Sequence, residues 1–109
     1  MEIWNKINLI SGILFLITGL LHVITPLIYS ITFEVIGMII YGVIYLCLGI
    51  FVLLLKRNNL INILSIILTT IGAVLATIVL IMSFNFYLLI MLLIDPIIII
   101  LRIYIYLHK

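Results

Sequence analysis

The stretch MLLIDPIIII, residues Met91–Ile100, places one aspartate and one proline inside a run that is otherwise entirely apolar. Similar apolar runs fill most of the 109 residues, of which 69% are hydrophobic and only 7% are charged. About a quarter of the residues of a soluble domain are charged, so this chain has too little polar surface to cover a globule in water. The composition therefore predicts an integral membrane protein whose main partner is the lipid bilayer.

Three polar breaks divide the apolar sequence, at Tyr29–Glu34, Lys56–Asn59 and Ser83–Phe86. Each of the four segments between them reaches the roughly 20 residues that a spanning helix needs. The segments do not alternate polar and apolar residues, as the strands of a membrane barrel would. The predicted helices cover about 7–29, 33–55, 60–82 and 86–107. Their short connections predict an all-α, up-down-up-down four-helix bundle that forms a single domain over residues 1–109.

The basic residues of the chain all fall at one end of this predicted bundle. Lys6 precedes the first helix, Lys56 and Arg57 connect the second to the third, and Arg102 and Lys109 lie near the end of the fourth. Basic residues stay preferentially on the cytoplasmic side, so both termini of this multi-pass protein of the cell membrane are predicted to be cytoplasmic. Arg102 is expected to extend its side chain to that interface, as arginines near helix ends do.

Small residues recur at near-helical spacing on three of the predicted helices, and in lipid such residues allow helices to approach closely. The residues expected at these helix interfaces are Gly12, Gly19, Gly42, Gly49, Gly72 and Ala76. Gly37 is expected on the face of the second helix that also carries Gly49. The single cysteine, Cys47, is expected to be a small buried apolar side chain.

The first and third predicted helices resemble each other. NKINLISGILFLI, from Asn5, aligns with NLINILSIILTTI, from Asn59, at an offset of half the chain. Isoleucine matches carry little weight in this composition, but three polar residues of the first segment match three of the third, namely Asn5, Asn8 and Ser11 with Asn59, Asn62 and Ser65. The pattern indicates a duplicated helical hairpin, although the second and fourth helices match poorly.

Asp95 lies ten residues from Asn85, and therefore about 15 Å below that end of its helix. An ionised carboxylate is costly at that depth, so Asp95 is expected to be protonated or hydrogen-bonded. His22, Tyr41 and Thr77 lie about 12, 13–14 and 9 Å from the same end of the bundle. Each helix thus offers one polar group to a common layer, and the predicted intramembrane polar cluster consists of His22, Tyr41, Thr77 and Asp95.

The sequence offers no credible catalytic or metal-binding set, and we expect the protein not to be an enzyme and to hold no metal and no cofactor. Ser11 lies three turns from His22 on the same helix, too far for a nucleophilic triad with Asp95. Haem ligation by two histidines would need a partner for His22, and His108 lies near the opposite end of the bundle. Nucleic-acid binding is not expected, because the chain has no basic patch.

The favoured function is a non-catalytic accessory or structural subunit of a larger membrane complex, for example a respiratory or transport complex. Its expected partners are other membrane subunits or further copies of the chain. The first alternative is a small homo-oligomeric proton-coupled transporter that uses Asp95 and His22. The second alternative is a haem- or quinone-binding membrane subunit with His22 as a ligand.

The chain's size and four-helix layout resemble those of the small multidrug resistance transporters. Those proteins carry a membrane-embedded glutamate in the first helix, whereas His22 is the only ionisable residue in the core of the first predicted helix here. The resemblance therefore concerns architecture alone.

Overall fold

The computed structural model describes residues 2–27, 33–55, 58–82 and 86–107. In these ranges the chain is all α, with α1 at Glu2–Val23, α2 at Phe33–Leu54, α3 at Asn59–Met82, α4 at Phe86–Leu107, and a short 3-10 turn after α1 at Thr25–Leu27. All four helices are long and apolar enough to cross a membrane. The predicted fold class of four apolar helices is confirmed.

The first helix differs from its predicted bounds at both ends, since it begins at Glu2 and ends at Val23. Pro26 explains the early end, because proline lacks a backbone N–H and disfavours helical geometry in the residue before it. The chain tightens there, and the Leu27 amide donates to the Ile24 carbonyl at 2.9 Å. Residues 28 and 29, which the prediction included, lie outside the described residues.

The third helix begins one residue before its predicted start, at Asn59. The side chain of Asn58 explains this, because its Oδ1 accepts a hydrogen bond from the Ile61 amide at 3.1 Å. An asparagine in this position satisfies one of the donors that the first turn leaves unpaired. Pro96 lies inside α4, which continues through it to Leu107.

The closest helix pair is α1 with α2, where glycines face each other in two places. A Cβ atom placed on Gly19 would lie 2.9 Å from the Gly42 carbonyl oxygen, and one placed on Gly49 would lie 3.1 Å from the Gly12 carbonyl oxygen. The pairs run in opposite directions along the two helices, so α1 and α2 are antiparallel. α4 packs against α1 and α3, and the loosest contact, between α2 and α3, closes the ring.

The bundle is 44 Å long, close to the roughly 40–45 Å of a bilayer with its headgroups. We call the end that carries Glu2 and Leu107 the terminal end and the end that carries Leu27 and Phe33 the distal end. Of the basic residues used to predict the orientation, Lys6 and Arg102 belong to the described helices. Lys56, Arg57 and Lys109 lie outside the described residues.

The distal half of α3 diverges from the bundle. The buried residues of this helix are Asn62, Ser65, Thr69 and Gly72, and none of residues 73–82, all of which the structure describes, is buried. A groove of about 260 Å³ therefore opens between α2 and α3. This α2–α3 groove is apolar, and its lining includes Gly37, Met38, Tyr41, Gly72, Leu75 and Ala76.

Two small residues of α2 lie elsewhere than the sequence predicts. A Cβ atom on Gly37 would meet nothing within 4 Å, so this glycine faces the open groove rather than a helix. The Cys47 side chain is exposed, and the prediction that it is buried is wrong. A thiol behaves as a small hydrophobe, so the apolar outer surface of the bundle suits it as well as the core does.

Candidate functional site

The core of the bundle is polar along three of its helices. The buried polar side chains of the four helices are Asn8, Ser11, Thr18 and His22 on α1, Asn62, Ser65 and Thr69 on α3, and Asp95 and Arg102 on α4. Two groups of side chains form around the two charged residues. We call Arg102 with Asn8, Ser11 and Asn62 the arginine cluster, near the terminal end. We call Asp95 with His22, Tyr41 and Tyr45 the aspartate cluster, near the middle of the bundle.

The guanidinium of Arg102 is held from two sides. Its Nη1 donates to Asn8 Oδ1 at 2.7 Å and to Ser11 Oγ at 3.0 Å, and its Nη2 donates to Asn62 Oδ1. The side chain is only 1% exposed, so the expectation that Arg102 extends to the interface is wrong. Three oxygens on α1 and α3 lie at the level of this arginine, and they satisfy its fork-shaped donor geometry inside the bundle.

The partners of Arg102 are themselves fixed by hydrogen bonds. Asn8 Nδ2 donates to the Val52 carbonyl at 3.1 Å and so links α1 to α2. The Ser11 and Ser65 hydroxyls each donate to the carbonyl three residues earlier, at 3.0 and 2.8 Å. These asparagines and serines are the matched positions of the sequence repeat. The two repeated segments thus place equivalent asparagines on either side of the arginine.

Two donors of the arginine cluster remain unused. Arg102 Nε and Asn62 Nδ2 are buried and have no hydrogen-bond partner among the described residues. The three acceptors that do contact the guanidinium are neutral. Asp95 lies seven residues away on the same helix, or about 10 Å along the axis. Among the side chains that the structure describes, the arginine cluster is therefore a buried cation surrounded by dipoles.

The aspartate cluster is organised around Tyr45, which lies on the face of α2 toward α4. Asp95 is 2% exposed, and its carboxyl lies near the hydroxyls of Tyr45 and Tyr41. The contact with Tyr45 falls outside hydrogen-bond geometry, since Asp95 Oδ1 and Tyr45 Oη both lack a partner within the part of the chain that the structure describes. Asp95 is thus a protonatable group in an enclosed and incompletely bonded environment.

The ring of Tyr45 contacts two other aromatic rings edge to face. Its centroid lies 5.4 Å from that of Tyr41, at an interplanar angle of 75°. It lies 5.3 Å from that of His22, at 89°. Tyr41 Oη donates to the Leu68 carbonyl at 3.0 Å and so joins α2 to α3. These contacts link α1, α2 and α3 at one level.

His22 is bonded to its own helix. Its Nδ1 lies 2.6 Å from the Thr18 carbonyl oxygen, and because a carbonyl only accepts, Nδ1 carries the proton. The described residues include no group of three histidine, cysteine or acidic side chains that would hold a metal ion. His108 lies outside the described residues. With its ring packed on Tyr45, His22 is placed as a core histidine, and these contacts add no support to haem or quinone ligation.

Three of the four residues of the predicted polar cluster lie around Tyr45, and one does not. His22, Tyr41 and Asp95 are the residues that adjoin this ring or its hydroxyl. Thr77 is exposed, and its hydroxyl donates to the Ala73 carbonyl at 2.8 Å. The prediction that Thr77 joins the cluster is wrong, because α3 has left the bundle by this turn and a threonine satisfies its hydroxyl on its own helix.

Sequence reasoning missed Tyr45 and the arginine cluster as sites. Tyr45 follows Tyr41 by four residues, a spacing that places both on one helix face. The signal for the arginine cluster was the matched asparagines and serines of the repeat, which mark one face of α1 and one of α3. Comparison of the chain with protein-family models, curated proteins and solved structures returns no match, so both clusters are interpreted from their own geometry.

Proposed function

We propose that this chain is a non-catalytic subunit of a larger membrane assembly, a multi-pass protein of the cell membrane with cytoplasmic termini. The α2–α3 groove supports this proposal most directly. Helices associate in lipid through close packing of small residues, and the groove presents Gly37 and Ala76. A transmembrane helix of a partner subunit would cover the groove and the part of α3 that the bundle leaves uncovered.

The two intramembrane charges do not take part in this proposed docking. Asp95 and Arg102 are 2% and 1% exposed, so neither is available to a charged residue on another subunit. The Tyr41–Leu68 hydrogen bond holds α2 to α3 at the floor of the groove. The docking surface is therefore apolar, with packing rather than ion pairing as its source of affinity.

Gly37→Leu tests this proposal without disturbing the bundle. Since a Cβ atom at Gly37 meets nothing within 4 Å, the new side chain has room in the groove and occupies the space of the partner helix. We expect the partner recovered by purification in mild detergent to fall at least about tenfold, as measured by quantitative mass spectrometry. Cys47→Leu is the matched control, because it enlarges an exposed side chain of the same helix outside the groove.

Two results would count against the subunit proposal. One is recovery of the wild-type chain as a monomer, with no stoichiometric companion. The other is equal retention of a partner by Gly37→Leu and Cys47→Leu, which would place the interface on another face of the bundle.

A proton-coupled transporter, formed by several copies of the chain, is the second candidate function. The observation in its favour is Asp95, whose Oδ1 is buried without a partner among the described residues. Polar residues that serve only to hold helices together normally have their hydrogen bonds satisfied. An acid inside a membrane bundle is also a recurrent element of proton pathways.

Asp95→Asn is expected to abolish proton-coupled flux in liposomes that enclose a pH-sensitive dye. Asparagine has the size of aspartate but takes up no proton in the physiological range. Thr77→Val is the matched control, because Thr77 lies on the exposed face of α3 and its hydroxyl bonds the Ala73 carbonyl of its own helix. Flux that persists unchanged in Asp95→Asn would exclude this carboxyl from the mechanism.

A further inference from the structure

The arginine cluster has more hydrogen-bond donors than acceptors. Within it, Asn8 Nδ2 is engaged by Val52 and the guanidinium Nη1 and Nη2 are engaged by three neutral oxygens. Arg102 Nε and Asn62 Nδ2 are left over, and both atoms are buried. Arg102 donates to Asn62 through Nη2, so the two unused donors belong to directly bonded side chains.

A positive charge in a medium of low dielectric constant is expensive unless an opposite charge accompanies it. Neutral amide and hydroxyl oxygens reduce that cost without removing the charge. A water molecule would accept from the two unused donors but would also leave the charge uncompensated. An anion would accept both hydrogen bonds and also compensate the charge. We therefore propose that the arginine cluster binds a small monovalent anion through Arg102 Nε and Asn62 Nδ2.

The position and burial of the cluster limit the size and route of this anion. Arg102 lies five residues before Leu107, and Asn62 lies three residues after Asn59, which places the site about 5–8 Å from the terminal ends of these helices. The anion enters from that end of the bundle. Both side chains are at most 1% exposed, so a halide such as chloride is suited to the site and a lipid phosphate group is not.

Thermal unfolding of the purified protein in detergent measures the binding directly. A ligand that binds only the folded state raises the Tm as its concentration increases. We expect sodium chloride to raise the Tm by roughly 5 °C over sodium gluconate at equal ionic strength, with saturation. Bromide should act like chloride, whereas the larger gluconate should have no effect. A Tm that is equal in chloride, bromide and gluconate would overturn the proposal.

Asn62→Asp supplies the proposed anion from the chain itself. Its carboxylate would accept two parallel hydrogen bonds from Nη2 and Nε of Arg102, as paired guanidinium and carboxylate groups do. We expect this variant to have a higher Tm than the wild type in gluconate and to lose the response to chloride. Asn59→Asp is the matched control, since it makes the same change one turn earlier at an exposed position.

The variants separate anion binding from a general effect of charge. Asn59→Asp is expected to keep the wild-type response to chloride. An Asn62→Asp protein that still responds to chloride, or an Asn59→Asp protein that does not, would contradict the assignment of the site. If Asn62→Asp does not fold, the wild-type titration with chloride, bromide and gluconate decides alone.

Discussion

Gly42→Leu is expected to force α1 away from α2 and to lower the free energy of unfolding by about 3 kcal/mol or more. A Cβ atom on Gly42 would lie 2.8 Å from the Gly19 carbonyl oxygen, 2.8 Å from His22 Cβ and 2.8 Å from Val23 Cγ2. Two of these atoms belong to or adjoin the backbone of α1, so the whole helix has to move. Denaturation by SDS in mixed micelles, followed by circular dichroism, measures the loss.

Gly37→Leu is the matched control for this prediction, because the two glycines lie on the same helix only five residues apart. Gly37 faces open space, and replacing a helical glycine by leucine gains about 0.8 kcal/mol in helix propensity. We therefore expect this variant to be as stable as the wild type or slightly more stable. Similar stability of Gly42→Leu and Gly37→Leu would contradict the close α1–α2 contact. A destabilised Gly42→Leu should also displace His22, since the new side chain takes the space beside its Cβ.

Arg102→Ala is expected to lower the free energy of unfolding by about 4 kcal/mol, since each buried polar group left without a partner costs about 1–3 kcal/mol. The substitution removes the donors to Asn8 Oδ1, Ser11 Oγ and Asn62 Oδ1. It also leaves a cavity at a side chain that is 1% exposed. The same denaturation by SDS measures the effect.

Two comparisons show whether the loss comes from unsatisfied polar groups. Combining Asn8→Leu, Asn62→Leu and Arg102→Met replaces the cluster by apolar residues of similar volume, and such replacements are often neutral or stabilising. We expect this triple variant to recover most of the stability. Lys6→Ala removes an exposed positive charge near the same end and should change stability by less than about 1 kcal/mol, the range of exposed ion pairs. An Arg102→Ala variant within that range would mean that the guanidinium extends to the interface after all.

The lengths of the helices could be predicted because they follow from local chemistry. An apolar run that spans a bilayer has to satisfy its backbone internally, and only a helix does this within one segment. The errors at the C-terminal end of α1 and at the start of α3 also have local causes, a proline at position 26 and a capping asparagine at position 58. The sequence carried both signals, but the ends of helices shift by one or two residues with the local hydrogen bonds that complete them.

Part of the candidate site was also accessible from the sequence. Depth along a helix follows from counting residues, so His22, Tyr41 and Asp95 were assigned to a common layer. The count says nothing about direction around the helix axis, and Thr77 was assigned to the layer in the same way although it faces outward. Arg102 shows the same difficulty. Its place near the end of α4 predicts a side chain at the membrane interface, but the face of α4 on which it lies directs the side chain into the bundle.

The sequence by itself determined the number of helices, their approximate extents and the scarcity of polar groups within them. Only the tertiary structure decided which face of each helix is inside. In water the polar face of a helix identifies its outside, but the outer surface of this bundle is at least as apolar as its core, so hydrophobic periodicity contains little information about direction. The faces are set instead by helix–helix packing and by hydrogen bonds between helices. That is why Gly42 meets a backbone while Gly37 meets open space, and why Arg102 turns toward the asparagines of α1 and α3.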